Sequence, residues 1–164
     1  MKIEVNAPMK TTIFPEKIDN HYHGKRIALW VFAVVTVVTI ARSLVHIIAA
    51  DGGAQSIATI PLDTFTAAGA RTVVLMFAYW GISQLLMGLV YLLALLRYRS
   101  MIPLMYLLIA AEYALRLVAG RLKPIETAQT APGAVGNYVL IPLALVMFWL
   151  ALPGKQHRND GDVY

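Results

Sequence analysis

The sequence has no cysteine and few charged residues. Without cysteine the chain can form no disulfide, no thiolate nucleophile, no cysteine-ligated metal site and no iron–sulfur cluster. Charged residues make up 14% of the 164 residues and hydrophobic residues 59%, and the mean hydropathy is +0.64. A water-soluble surface cannot be built from this mixture, so the composition predicts an integral membrane protein with room for one domain.

Acidic residues are the scarcer charged class, with nine Asp and Glu against fourteen Lys and Arg, which gives a net charge of +5. An excess of this sign can indicate a nucleic-acid surface. Here the basic residues lie mainly beside apolar runs, where positive charge sets membrane topology. We therefore predict membrane lipid, and no nucleic acid, as the environment of this chain.

Four apolar stretches match the ~20 residues that a helix needs to cross a ~30 Å hydrocarbon core. They cover residues 27–50, 72–96, 101–120 and 134–152, and each ends at a polar, glycine or proline cluster. The short turn at 97–100 predicts that the second and third helices are antiparallel neighbours. The sequence thus predicts an all-α polytopic membrane protein, an antiparallel four-helix transmembrane bundle over residues 27–152. Residues 1–26 form an N-terminal arm and residues 153–164 a tail.

Positive charges outside these stretches are unevenly divided. Nine lie in the arm, the second loop and the tail, namely Lys2, Lys10, Lys17, Lys25, Arg26, Arg97, Arg99, Lys155 and Arg158. Three lie on the other side, namely Arg71, Arg121 and Lys123. Positively charged short loops stay in the cytoplasm, so both termini are predicted to be cytoplasmic and residues 51–71 and 121–133 to face outward. We expect residues 51–71 to lie as a short lid on the outer surface, with Asp63 as an N-cap before a helical segment at 64–70.

Four ionisable residues lie inside the apolar stretches, where a charge is costly and usually faces the bundle interior or a cavity. Arg42 and His46 are four residues apart on the first helix, and Glu112 and Arg116 are four apart on the third, so each pair shares one helix face. Gln84 lies near the middle of the second. We predict an outward-open polar chamber built from these residues and from Thr39 and Asn137. Its ligand-binding set is Thr39, Arg42, His46, Gln84, Glu112, Arg116 and Asn137.

The predicted chamber holds two arginines and one glutamate, so one positive charge is left over when His46 is neutral. Such a site favours an anion or a strongly polar head group. The competing interpretation is a structural triad of Arg42, Glu112 and Arg116 that fixes helix register. Gln84 then serves as an interhelical hydrogen-bonding residue, and Gly81 and Gly88 let the second helix approach the small residues of the third. No metal site is predicted, because His21 and His23 have no third ligand nearby.

The order of four short spans and several residues in them resemble small DoxX-like bacterial membrane proteins. The resemblance covers about residues 27–152 and rests on Gly69-Ala70-Arg71, Gly81, Gln84, Gly88, Glu112, Arg116 and Pro132-Gly133. It implies a four-helix bundle in a bacterial inner membrane, in a group of mostly unassigned activity, some of whose members are similar to membrane subunits of quinone-linked oxidoreductase complexes. The first span lacks the early Arg and Gly typical of that group, so the resemblance assigns no catalytic role.

Three function classes follow from these observations. The favoured one is a non-enzymatic binding or accessory subunit whose chamber holds an anion, a lipid head group or a quinone-like molecule. The second is a membrane enzyme that uses Glu112 as acid or base while Arg42 and Arg116 hold an anionic substrate. The third is transport after oligomerisation, because a single four-helix chain without a repeat offers no path of its own. A larger membrane complex and a homo-oligomer are both compatible with the sequence, which specifies no cofactor.

Overall fold

The computed structural model describes residue 15 and residues 17–153, and this part of the chain is helical with no strand. Helix α1 covers Arg26–Ile48, α2 covers Ala67–Leu96, α3 covers Ile102–Leu122 and α4 covers Pro132–Ala151. Two short 3-10 helices lie at Leu62–Thr64 and Arg99–Met101. All four long helices have the length and hydropathy of a membrane span, which confirms the predicted four-helix membrane bundle. The predictions for residues 1–14, 16 and 154–164 lie outside the described residues.

The start of α2 differs from the sequence prediction. Thr66 is its N-cap, and the Thr66 hydroxyl accepts a hydrogen bond from the backbone N–H of Gly69 at 3.1 Å. The prediction that Asp63 caps a helix over 64–70 is therefore wrong, because Asp63 lies inside the preceding 3-10 turn. Threonine is itself a favoured N-cap, and it satisfies an N–H group that would otherwise lack a partner. The helix consequently begins five residues before the predicted span.

Hydrogen bonds between helix ends establish an up-and-down topology. The Tyr106 hydroxyl near the start of α3 donates to the Ala28 carbonyl near the start of α1 at 2.6 Å. The Lys25 N–H, just before α1, donates to the Leu150 carbonyl near the end of α4 at 2.8 Å. The starts of α1 and α3 and the end of α4 therefore lie at one end of the bundle. The α2–α3 turn lies at the same end. There the Ser100 N–H and hydroxyl donate to the Asp19 carbonyl, and the Asp19 N–H donates to the Ser100 hydroxyl.

The helices pack mainly as two pairs, α1 with α2 and α3 with α4, while α2 and α3 touch sparsely. Glycines on α2 produce the first pair. A Cβ atom at Gly81 would lie 2.8 Å from the His46 Cβ and 3.0 Å from the Ser43 carbonyl, and one at Gly88 would lie 2.8 Å from the Ile40 side chain. The expected packing of these glycines against α3 is therefore wrong. They face α1 instead. Their lack of a side chain permits the close backbone approach that is typical of interfaces between membrane helices.

The most densely buried part of the core lies at the end that carries the N-terminal arm. Phe32 packs edge-on against Tyr91 and Tyr106, with ring centroids 5.7 and 5.5 Å apart. Such aromatic pairs contribute about 0.5–1.5 kcal/mol each beyond the area they bury. Trp30 and Trp149 at this end are 70% and 72% exposed on the outer surface of the bundle. Lipid contact and the interfacial preference of tryptophan account for that exposure.

The two loops at the other end are joined to each other. Thr59 donates its hydroxyl hydrogen to the Gln129 carbonyl at 2.7 Å, and the Ala128 N–H donates to the Thr59 carbonyl at 2.8 Å. Asp51 accepts backbone hydrogen bonds from Ser56, Gly53 and Gln55, and these bonds lower the pKa of its carboxyl to about 2. A cleft of about 450 Å³ lies between the two loops. The loop predicted as a lid begins with a hydrogen-bonded turn that contacts His46.

Candidate functional site

A chain of polar contacts crosses three helices in the half of the bundle away from the N-terminal arm. Arg42 on α1 donates from Nη2 to the Gln84 Oε1 on α2 at 2.8 Å. Gln84 in turn donates from Nε2 to the Glu112 Oε1 on α3 at 3.2 Å. Glu112 completes the chain with a hydrogen-bonded ion pair to Arg116, one helical turn further on. The structure thus brings together four of the seven residues predicted for the chamber, and we call them the polar cluster.

Local helix geometry explains why these residues meet. Gln84 lies 12 residues before the end of α2 and Glu112 lies 10 residues after the start of α3, so the two reach a similar depth on antiparallel helices. On the α1 side, the absence of a side chain at Gly81 and Gly88 brings the α2 backbone against α1 on either side of Gln84. That approach is close enough for the Gln84 amide to reach Arg42. The amide therefore bridges the two helix pairs, as interhelical polar residues commonly do in membranes.

Trp80 occupies the centre of the site and was not among the predicted residues. The guanidinium carbon of Arg116 lies 4.9 Å from its ring centroid and that of Arg42 lies 5.7 Å away. Both distances fall within the range of cation–π attraction. The His46 ring lies on the same indole at 4.7 Å. Trp80 precedes Gln84 by four residues, so their shared helix face was a signal that the sequence carried.

His46 adjoins the polar cluster through Trp80 rather than by a direct hydrogen bond. Its side chain is only 2% exposed, and its Nδ1 lies 2.7 Å from the Gly52 carbonyl oxygen in the turn after α1. A carbonyl can only accept, so Nδ1 carries the hydrogen. The Gly52 and Gly53 backbone has φ values of +59° and +75°, a left-handed conformation that favours glycine and turns this carbonyl towards the ring. The ring orientation is therefore set by the loop.

The charges of the polar cluster are unequally paired. Arg116 has the Glu112 carboxylate and, in addition, the face of Tyr113 at 4.9 Å. Among the described residues, Arg42 has the neutral Gln84 amide and the Trp80 ring as its partners. Within the described residues, the buried Arg42 Nε has no hydrogen-bond partner. The surplus positive charge predicted for the site thus resides on Arg42.

One side of the site is open. The side chains of Glu112 and Arg116 are 34% and 20% exposed, and Trp80 is 36% exposed. Trp80 belongs to α2 and the ion pair to α3, so the opening lies where these helices touch sparsely. Ion pairs in a bilayer normally face protein or a polar cavity, since lipid tails cannot solvate them. The polar cluster is therefore accessible from this side of the bundle.

Besides His46, two more predicted residues lie outside the polar cluster. Thr39 faces Gly88, with its methyl carbon 3.5 Å from the position of a Gly88 Cβ. Asn137 lies in the second turn of α4 beside Gly136, which has no neighbouring atom within 4 Å of its Cβ position. Among the described residues, no hydrogen bond links either side chain to the cluster. Helical spacing predicted the face of α1 on which Thr39 lies. It carried no information on the distance from α2 to α4, the helix that contains Asn137.

The two histidines of the N-terminal arm stack on each other with ring centroids 6.5 Å apart, and His21 Nδ1 lies 3.2 Å from the Asp19 carboxylate. This contact and the His21 N–H lower the pKa of Asp19. In the described part of the chain, no three His, Cys, Asp or Glu side chains are placed to hold a metal ion. The contacts of these two histidines are therefore local to the arm.

Comparison with known proteins adds no relative from which a role can be transferred. No family model, no curated protein and no solved structure matches the chain. The DoxX-like resemblance accordingly stays a prediction from the sequence.

Proposed function

We propose that this protein is a non-enzymatic binding or accessory subunit of a bacterial inner membrane that holds the anionic or polar group of a ligand beside Arg42. The ligand classes are a small anion, a lipid head group or a quinone-like molecule. The observation that carries the proposal is the incomplete pairing of Arg42, whose guanidinium has a neutral amide, an aromatic ring and one buried unpartnered N–H.

The pairing of Glu112 supports this assignment of roles. Glu112 is bonded to Arg116 and to the Gln84 amide, so its charge is already balanced within α3. Neutralising Arg42 as well would require the same carboxylate to serve a second guanidinium, and the Gln84 side chain lies between them. An unpaired buried cation is costly, and an acceptor oxygen from a ligand removes that cost.

The location of the opening supports a ligand that arrives from the bilayer. Trp80 and Glu112 are exposed on the side of the bundle, at a depth where lipid tails surround the helices. A molecule with an apolar tail can lie there and direct its polar end at Arg42. The proposed orientation, with both termini in the cytoplasm, places the cluster nearer the outer side. The arm and the α2–α3 turn lie at the same end of the bundle. This supports placing both on one side of the membrane, and the assignment of that side to the cytoplasm rests on the count of positive charges.

A thermal-shift screen tests the proposal. Phospholipids, carboxylates, phosphates and quinones are added to the detergent-purified chain, and the melting temperature is compared between wild type and Arg42→Gln. A ligand that binds only the folded state raises the melting temperature by mass action. We expect at least one class to raise it in wild type and to lose most of that shift in Arg42→Gln. Arg97→Gln, at an arginine of the α2–α3 turn, is the matched control and keeps the shift. Equal shifts in all three proteins, or none, would contradict the proposal.

A further inference from the structure

Two buried polar atoms on the same face of α1 lack partners within the described residues. They are Arg42 Nε and His46 Nε2. The two residues are four apart, so their side chains are neighbours on the helix. Both side chains lie against the Trp80 ring, the guanidinium carbon at 5.7 Å and the imidazole at 4.7 Å from its centroid. Both unpartnered atoms therefore belong to side chains that lie beside the same indole.

The two atoms have opposite hydrogen-bonding roles. Arg42 Nε always carries a hydrogen and can only donate. The His46 hydrogen is on Nδ1, where the Gly52 carbonyl accepts it, so Nε2 of the neutral ring has a free lone pair and accepts. The site thus presents one donor and one acceptor side by side.

We propose that the ligand's polar group carries an O–H in addition to an acceptor oxygen, and that the O–H donates to His46 Nε2. The inference rests on the proposed function and narrows its ligand class. The acceptor oxygen takes the Arg42 Nε–H. Head groups with a free hydroxyl next to a phosphate, and hydroquinones with two ring oxygens, both have this chemistry. Fully alkylated head groups and ethers do not.

Binding in this position requires Trp80 to move. Both unpartnered atoms are buried, whereas the indole that covers them is 36% exposed. The ligand therefore displaces the indole towards the bilayer, and the fluorescence of Trp80 reports its arrival. Trp30 and Trp149, which are 70% and 72% exposed, can be replaced by Phe so that Trp80 is the single tryptophan.

Matched probe pairs test the hydroxyl directly in this single-tryptophan protein. In the lipid arm, phosphatidylglycerol is compared with phosphatidylmethanol, which has the same phosphodiester charge and no hydroxyl. In the quinone arm, a short-chain hydroquinone is compared with its dimethyl ether. We expect the hydroxylated member of at least one pair to change the Trp80 emission and to bind about fivefold or more tightly than its partner, the factor for one hydrogen bond. The arm that responds identifies the ligand source.

His46→Asn is the matched variant. Its amide N–H lies near the position of Nδ1 and can keep the bond to Gly52, while the acceptor at Nε2 is removed. We expect the two members of the pair to bind this variant equally. Equal binding in the His46 protein, or a preference that survives in His46→Asn, overturns this inference alone. If neither member of either pair binds the His46 protein and no compound in the thermal-shift screen binds it, the proposed function fails as well. The comparison in the His46 protein decides the question even where His46→Asn does not fold.

Discussion

Adding one methyl group at Gly81 tests the packing that holds the site together. In Gly81→Ala the new Cβ would lie 2.8 Å from the His46 Cβ, 3.0 Å from the Ser43 carbonyl oxygen and 3.1 Å from the Ile47 side chain. The first two atoms belong to the α1 backbone or are fixed to it, so side-chain rotation cannot relieve the clash. The helices must separate instead. Overpacking of this kind costs about 1–3 kcal/mol, and membrane helices have little hydrophobic force to offset it.

Two other glycines give a graded comparison. A Cβ at Gly88 meets chiefly the Ile40 side chain, which can move, so Gly88→Ala should destabilise the protein less than Gly81→Ala. Gly136 has no atom within 4 Å of its Cβ position, and alanine is the better helix former there by up to about 1 kcal/mol. Gly136→Ala should therefore be neutral or stabilising.

The free energy of unfolding, measured by helical circular dichroism during titration with a denaturing detergent, checks this order. The same proteins should rank identically in the thermal shift caused by a ligand, because separation of α1 from α2 moves Arg42 and His46 relative to Trp80. Wild-type stability in Gly81→Ala, or a loss in Gly136→Ala as large as in Gly81→Ala, would show that close packing at Gly81 does not stabilise the α1–α2 pair.

Three further outcomes are expected. Backbone N–H groups stabilise the ionised Asp51 carboxylate and lower its pKa to about 2, so this stabilisation is complete above the ordinary value of 3.8 and is lost as the pH falls through 2. Asp51→Asn should reduce the fall in melting temperature over that pH interval, and equal pH slopes in variant and wild type would contradict this. Thr59→Val keeps the side-chain shape but removes the bond to Gln129, at a cost of about 1 kcal/mol, so hydrogen exchange of the Ala128 amide should accelerate. Unchanged protection would show that the hydroxyl does not join the loops. Finally, a cysteine at Gln55 should react with a membrane-impermeant reagent in intact cells, and one at Asn20 only after permeabilisation, as the positive-inside rule requires; the reverse labelling would invert the topology.

The fold was predictable because its signals are local. Each apolar stretch was long enough to span a bilayer, and the polar breaks between them identified the four helices to within a few residues. The exception was the start of α2, where the loop between α1 and α2 contains two suitable caps. Asp63 fits the capping pattern as well as Thr66 does, and only the three-dimensional course of the chain decides between them.

The site was predictable in part. Helical spacing correctly grouped Arg42 with Gln84, Glu112 and Arg116, because ionisable residues in a span turn inward. It did not indicate that α2 packs on α1 rather than α3, because glycine stripes do not specify their partner. It also missed Trp80, because an aromatic residue inside an apolar span can face lipid as readily as a polar site.

In the polar cluster, Arg42 carries the unbalanced charge while Glu112 neutralises Arg116. The most direct test measures the dissociation constant of one monoanionic lipid for wild type, Arg42→Gln and Glu112→Gln. Removing Arg42 should weaken binding by about tenfold or more, the worth of a charge-assisted hydrogen bond. Removing the Glu112 carboxylate leaves a second cation in the site, so binding should be unchanged or tighter. Equal weakening in both variants would show that the residues act as one structural unit, and would contradict the account.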